Sequence, residues 1–170
     1  MSRVGRPGGS VTSVAGMEPE LSVSRDIAAS PEAVFAALTD ITRMGEWSPE
    51  NHSNVWKDGV TEAAVGARWV GENRNGDHEW TTEARVSELV PNERFTFECL
   101  APAFNDFHFS TWRYDIEPIE GGCRVTEHWQ DLRPDAIKGD ASVSGVSDRV
   151  THNKAGMEQT LAALAAAVEG

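Results

Sequence analysis

The sequence predicts an α+β fold: a seven-stranded antiparallel curved sheet, two short helices after the first strand, and one long C-terminal helix over the concave face. Three observations predict it. Residues 148–168 carry a single apolar stripe at helical period. Residues 51–130 form a run of short alternating segments separated by turn signals, with no helical period. Ahead of that run, one alternating segment is followed by two short capped segments of helical character.

Residues 1–18 are rich in Gly, Ser and Arg and have no periodicity, which predicts a disordered tail ahead of a single domain at 19–170. The tail lacks the continuous apolar core of a signal peptide, and Met17 is an alternative start of translation. Leu21, Val23, Arg25 and Ile27 alternate with polar residues and predict the first strand. Ser30-Pro31 supplies an N-cap and a first-turn proline for a short helix bearing Val34, Phe35 and Leu38. Asp40 caps a second short helix over 41–45, and Ser48-Pro49 closes the pair.

Turn signals then divide the chain at Asp58-Gly59, Asn75-Gly76-Asp77, Pro91-Asn92-Glu93 and Gly121-Gly122. Between them, shared faces are predicted for Ala67, Trp69, Gly71 and Asn73, and for Trp80, Thr82, Ala84 and Val86. The same alternation groups Phe95, Phe97 and Cys99, then His108, Ser110, Trp112, Tyr114 and Ile116, then Cys123, Val125, Glu127 and Trp129. In the closing helix Val150, Met157, Leu161, Leu164, Ala165 and Val168 fall on one side, with Asp148 as N-cap. At ~1.5 Å per residue this helix is ~30 Å long, enough to cross a sheet. Asn153 and Lys154 interrupt the stripe in its first third only, which predicts that this end faces something wetter than a core.

With 170 residues, 39% hydrophobic and 25% charged, the chain is long enough for one real core. The net charge of −12 and the lack of a Lys/Arg stripe argue against nucleic acid and anionic membrane surfaces as partners. No apolar run is long enough to span a bilayer. Six Trp and six Phe against one Tyr imply large apolar surfaces to fill or to line. Cys99 and Cys123 are assigned to strands separated by a third, hence roughly 9–10 Å apart. A disulfide needs Cα atoms within ~7 Å, so the expectation is two free thiols in a cytoplasmic protein.

A curled sheet gripping a straight helix leaves a gap. The predicted inward set mixes aromatics with polar groups, including Asn73, Thr82, His108, Ser110 and Glu127. An unpaired polar group in a dry core costs ~1–3 kcal/mol, so the pattern predicts a water-accessible cavity. The expected lining is Trp47, Trp69, Asn73, Trp80, Thr82, Phe97, His108, Ser110, Trp112, Glu127, Asn153 and Met157.

Over residues 20–168 the chain resembles the helix-grip fold of the START-like (SRPBCC) superfamily, in particular its bacterial polyketide cyclase/dehydrase branch. The resemblance rests on IAASPEAVFAALTDITRMGEWSP (27–49), VGARWVGEN (65–73) and TWRYDIEPIEGGCRVTEHWQ (111–130), with the closing helix. It implies a hydrophobic cavity between the sheet and the C-terminal helix, entered near the short helices. It implies no fixed catalytic set.

The residues themselves show no Gly-rich nucleotide loop, no G-x-S-x-G elbow and no helical His pair, so no cofactor or metal is expected. A metal would need His108, Glu127 and a third ligand. Glu127 is the most informative polar residue. It is either an ion-pair partner of Arg25 or Lys154, a solvated strand end, or a cavity acid whose pKa burial would raise. The expected function is binding of a small hydrophobic molecule (lipid, polyketide or aromatic metabolite) as carrier or sensor, by a monomer or homodimer. The alternatives are a cyclase or dehydratase working through Glu127, His108 or Tyr114, and an interaction module resembling the Hsp90-activator relatives of this fold.

Overall fold

The computed structural model describes residues 17–170. Seven antiparallel strands form one sheet: β1 (Leu21–Ile27), β2 (Asn51–Trp56), β3 (Arg68–Asn75), β4 (His78–Val90), β5 (Arg94–Ala101), β6 (Phe107–Ile119) and β7 (Gly122–Asp131). Their order across the sheet is β1-β7-β6-β5-β4-β3-β2. Strands β2 to β7 each pair with the next strand in sequence, antiparallel throughout. The turns sit where the punctuating residues predict, with positive φ at Asp58, Gly59, Gly76, Asn92 and Gly121.

β1 and β2 follow each other in the chain yet occupy opposite edges. The connection is made by α1 (Pro31–Thr39) and a 3-10 turn at Ile41–Glu46. Ser30 caps α1 by accepting from the Ala33 amide at 3.1 Å, and Val34, Ala37 and Leu38 are buried. Asp40 caps the 3-10 turn through the Thr42 amide. Residues 1–16 lie outside the described residues, and with them most of the predicted tail. Its end differs from expectation: Met17 forms an isolated β-bridge and is buried.

Register shifts at Asn51/Ser53, Val86/Glu88 and Cys99/Leu100 mark bulges, which bend strands and raise their twist, and so curl the sheet. At the β1–β7 edge the fit is close. A Cβ on Gly122 would collide with the Ile27 carbonyl oxygen.

The long helix α2 (Arg149–Val168) is continuous. Asp148 caps it, accepting from the Thr151 amide at 3.1 Å and the Thr151 hydroxyl at 2.7 Å. Its C-terminus is tied to the β1–α1 junction, where the Ala28 amide donates to Glu169 at 3.0 Å. Asn153, Met157, Thr160, Leu161, Leu164 and Ala165 are buried. Two details correct the predicted stripe. Val150 shares the angular range of Met157 but lies in the first turn, ahead of the buried stretch, and is 47% exposed. Thr160 is buried instead, its hydroxyl satisfied by the Gly156 carbonyl at 2.9 Å. The core joins α1, the sheet and α2 through residues such as Leu38, Ile41, Phe95, Val125, Leu161 and Leu164.

Candidate functional site

Antiparallel register stacks the inward residues of the sheet in rows. One row runs Val23–Glu127–Tyr114–Phe95 across β1, β7, β6 and β5. The next runs Leu21–Trp129–Trp112–Phe97–Val86. A third runs Asp131–Ser110–Cys99–Ala84–Trp69. Met157 and Leu161 of α2 belong to the same interior, and both are fully buried.

Aromatic packing dominates the middle of this face. Trp69 meets Phe97 edge-on at 5.0 Å between centroids and Trp56 at 5.5 Å. The Trp112 and Trp129 rings lie 6.1 Å apart. Trp47, placed by the end of the 3-10 turn, is buried in the same core. Trp80, Thr82 and Trp112 are only half-buried.

Glu127 stands out. It is 2% exposed and sits among apolar neighbours. The Tyr114 hydroxyl donates to its Oε1 at 2.9 Å. Its Oε2 is buried with no hydrogen-bond partner among the described residues. Neither Arg25 nor Lys154, the basic partners considered from sequence, pairs with it, and both are exposed. Burial pushes the Glu127 carboxyl up to about 8, against the pull of the Tyr114 bond. Burial, and then the adjacent carboxylate, push the Tyr114 phenol well above its usual value. This pair is a carboxyl that stays protonated near neutrality and a phenol that stays a donor.

At the other end of the interior the polar residues satisfy one another. Asn73 Nδ2 donates to Thr82 Oγ1 at 3.1 Å and to the Trp80 carbonyl at 3.3 Å. Asn51 Nδ2 reaches Asn73 Oδ1 at 3.2 Å, and Asn54 Nδ2 donates to the Ile41 carbonyl at 2.9 Å. Gly71 makes room for this network, since a Cβ there would stand 2.8 Å from Asn54 Oδ1. Above it, Arg149 Nη1 contacts both Glu50 carboxylate oxygens at 2.9 Å and Asn153 Oδ1 at 3.2 Å. The Arg149 guanidinium also lies 5.7 Å from the Trp80 ring centroid. His152 completes the latch, with Nε2 2.8 Å from Glu50 Oε1.

Of the predicted lining residues, eleven project from or pack into this interior: Trp47, Trp69, Asn73, Trp80, Thr82, Phe97, Ser110, Trp112, Glu127, Asn153 and Met157. Ser110 is the bonding partner of Cys99, a free thiol that burial pushes up to about 11. His108 is a correction. The bulge between Cys99 and Leu100 pairs it with Leu100 and breaks its alternation with Ser110. Its Nε2 meets Thr111 Oγ1 at 2.8 Å on the outer face, beside Glu98. His108 and Glu127 are therefore on opposite faces of the sheet and cannot share a ligand. Lys154 is also exposed, so Asn153 alone carries the polar interruption inward. Sequence reasoning missed Glu50, Arg149, Asn51 and Asn54. Only Arg149 had a local signal, its i, i+4 spacing to Asn153.

Two open clefts, of about 290 and 220 Å3, lie on the outer face of the sheet, and neither is the space between sheet and α2. Among the described residues no helix is long and apolar enough to cross a membrane.

Solved structures share this architecture. Cgl2372 from Corynebacterium glutamicum, described as polyketide-cyclase-like, is 30% identical with a TM-score of 0.58, covering 88% of this chain and 90% of its own. Protein CV1439 from Chromobacterium violaceum is 24% identical with a TM-score of 0.62, covering 88% and 97%. The di-domain ARO/CYC StfQ from the steffimycin biosynthetic pathway is 14% identical with a TM-score of 0.64, covering 88% of this chain and 50% of that one. No curated protein matches. Residues 18–169 match the family described as polyketide cyclase / dehydrase and lipid transport. With element order, sheet topology and sequence in agreement over nearly the whole described chain, this protein belongs to that family.

Proposed function

We propose that the protein binds a small hydrophobic molecule between the sheet and α2, as a carrier or sensor. The observation that carries this is the Glu127 oxygen left without a partner inside an aromatic interior. A buried unmatched polar group costs ~1–3 kcal/mol, and a bound molecule with a polar group would offset that cost. Half-burial of Trp80, Thr82 and Trp112 supports an approach to the interior from the end where Arg149 latches onto Glu50. Family membership points the same way.

The Glu127–Tyr114 pair also favours a second reading, an enzyme of the cyclase or dehydratase kind. A carboxyl held protonated near neutrality is a general acid placed beside a phenol donor. An interaction module with a filled, dry interior fits less well, because nothing in such an interior would answer the unmatched oxygen.

Native mass spectrometry of freshly purified protein tests the binding reading, together with titration of a neutral naphthalene probe. A co-purifying small molecule, or saturable micromolar binding, is expected. A bare protein that also fails to bind the probe would rule the reading out. Turnover of a polyketide-like substrate, lost in Glu127→Gln, would favour the enzyme.

A further inference from the structure

Resting on the proposed interior site, the charge pattern around Glu127 narrows what the site accepts. We infer that the preferred ligand is a neutral apolar molecule bearing a carbonyl or similar acceptor oxygen, and that the matching carboxylate is rejected. Tyr114 already donates to Oε1, which leaves Oε2 as the atom that faces a ligand. The protonated carboxyl then donates from Oε2 to an acceptor oxygen, while Tyr114 holds the carboxyl in place.

Among the described residues no cation answers a ligand's negative charge there. The cross-strand neighbours of Glu127 are Val23 on β1 and Tyr114 on β6. Along β7 the same face carries Val125 and Trp129, and the buried residues of α2 are uncharged, Met157, Leu161 and Leu164 among them. Arg25, one row away on the edge strand, is exposed, and Arg149 is engaged by Glu50 at the far end. An anion brought into this interior loses its water and meets no countercharge, and the single hydrogen bond from Glu127 does not offset that desolvation. A neutral ketone of the same shape loses little and gains a hydrogen bond.

Two near-isosteric probes separate the cases: 2-acetylnaphthalene, a neutral methyl ketone, and 2-naphthoate, an anion. Titrated calorimetrically into the full chain at about neutral pH, the ketone should bind at least about tenfold more tightly. In Glu127→Leu, checked for a native circular dichroism spectrum, the preference for the ketone over 2-ethylnaphthalene should vanish. Equal affinity for ketone and carboxylate, or tighter binding of the carboxylate, overturns the inference and leaves the binding site standing. Binding of neither probe overturns both. Should Glu127→Leu fail to fold, the wild-type comparison of ketone with carboxylate still decides.

Discussion

Replacing Glu127 by Gln should make the protein more stable, and increasingly so as the pH rises. In the native state burial pushes the carboxyl up to about 8, against an ordinary value of 4.5. Between those two values the unfolded chain has released the proton and the native chain still holds it. The native state then binds more protons, so the group's contribution to stability falls with rising pH and levels off above about 8. Below the ordinary value both states are protonated and the penalty disappears. At ~1.4 kcal/mol per unit, the penalty is roughly 3 kcal/mol at about pH 7 and approaches 5 at about pH 9. Glu127→Gln removes the ionisation while keeping an acceptor for the Tyr114 hydroxyl. Urea unfolding of both proteins should show their stability difference growing by roughly 4 kcal/mol between about pH 5 and about pH 9. In thermal scans that is a relative shift of roughly 8–16 °C for a domain of this size. A difference that stays flat over this range would refute the burial of an ionisable Glu127, and with it the placement of a protonated acid in the interior.

On the outer face, Asp115 behaves oppositely. Against the upward push of burial, His128, Arg94 and Arg113 hold its carboxyl down at about 2, so its stabilising effect is present above the ordinary carboxylate value and is lost as the pH falls through about 2. Asp115→Asn should therefore flatten the acid limb of the stability profile, and an unchanged acid limb would contradict this. Gly122→Ala drives a methyl into the Ile27 carbonyl and should cost about 1–3 kcal/mol, with early hydrogen exchange along β1; a silent substitution would mean that the β1–β7 edge is looser than described. A double-mutant cycle of Arg149→Ala and Glu50→Ala should return a coupling of about 1 kcal/mol, as both side chains are mostly buried and the contact engages both carboxylate oxygens. Zero coupling would remove the latch.

The fold was legible because its elements are strongly periodic and well punctuated. Asp148, Ser30 and Asp40 announce helix starts through their own side chains, and positive-φ turn residues separate the strands. The inward position of Glu127 followed from alternation alone, because β7 has no bulge between Cys123 and Asp131. His108 departs from simple alternation for the converse reason: a single extra residue opposite Cys99/Leu100 reverses the faces beyond it, and no residue in that stretch signals a bulge. The Glu50–Arg149–His152 latch joins positions about a hundred residues apart in the chain, a separation for which pattern reading has no handle. Nor could sequence choose Tyr114 over Arg25 or Lys154 as the partner of Glu127. That choice depends on cross-strand register, which pairs Tyr114 directly opposite.

The pairing of the first strand with the last has a consequence for how the chain is made. Ser22 meets His128 across 106 positions of sequence. A ribosome adding ~5–20 residues per second takes at least ~5–20 s to synthesise that interval. Through that interval β1 has no strand to pair with, while the β2–β6 meander can assemble from local hairpins. β7 then completes both pairings, and α2, synthesised last, closes over the interior. A stall or truncation before β7 would leave two open strand edges, so quality control of this protein should hinge on its final third.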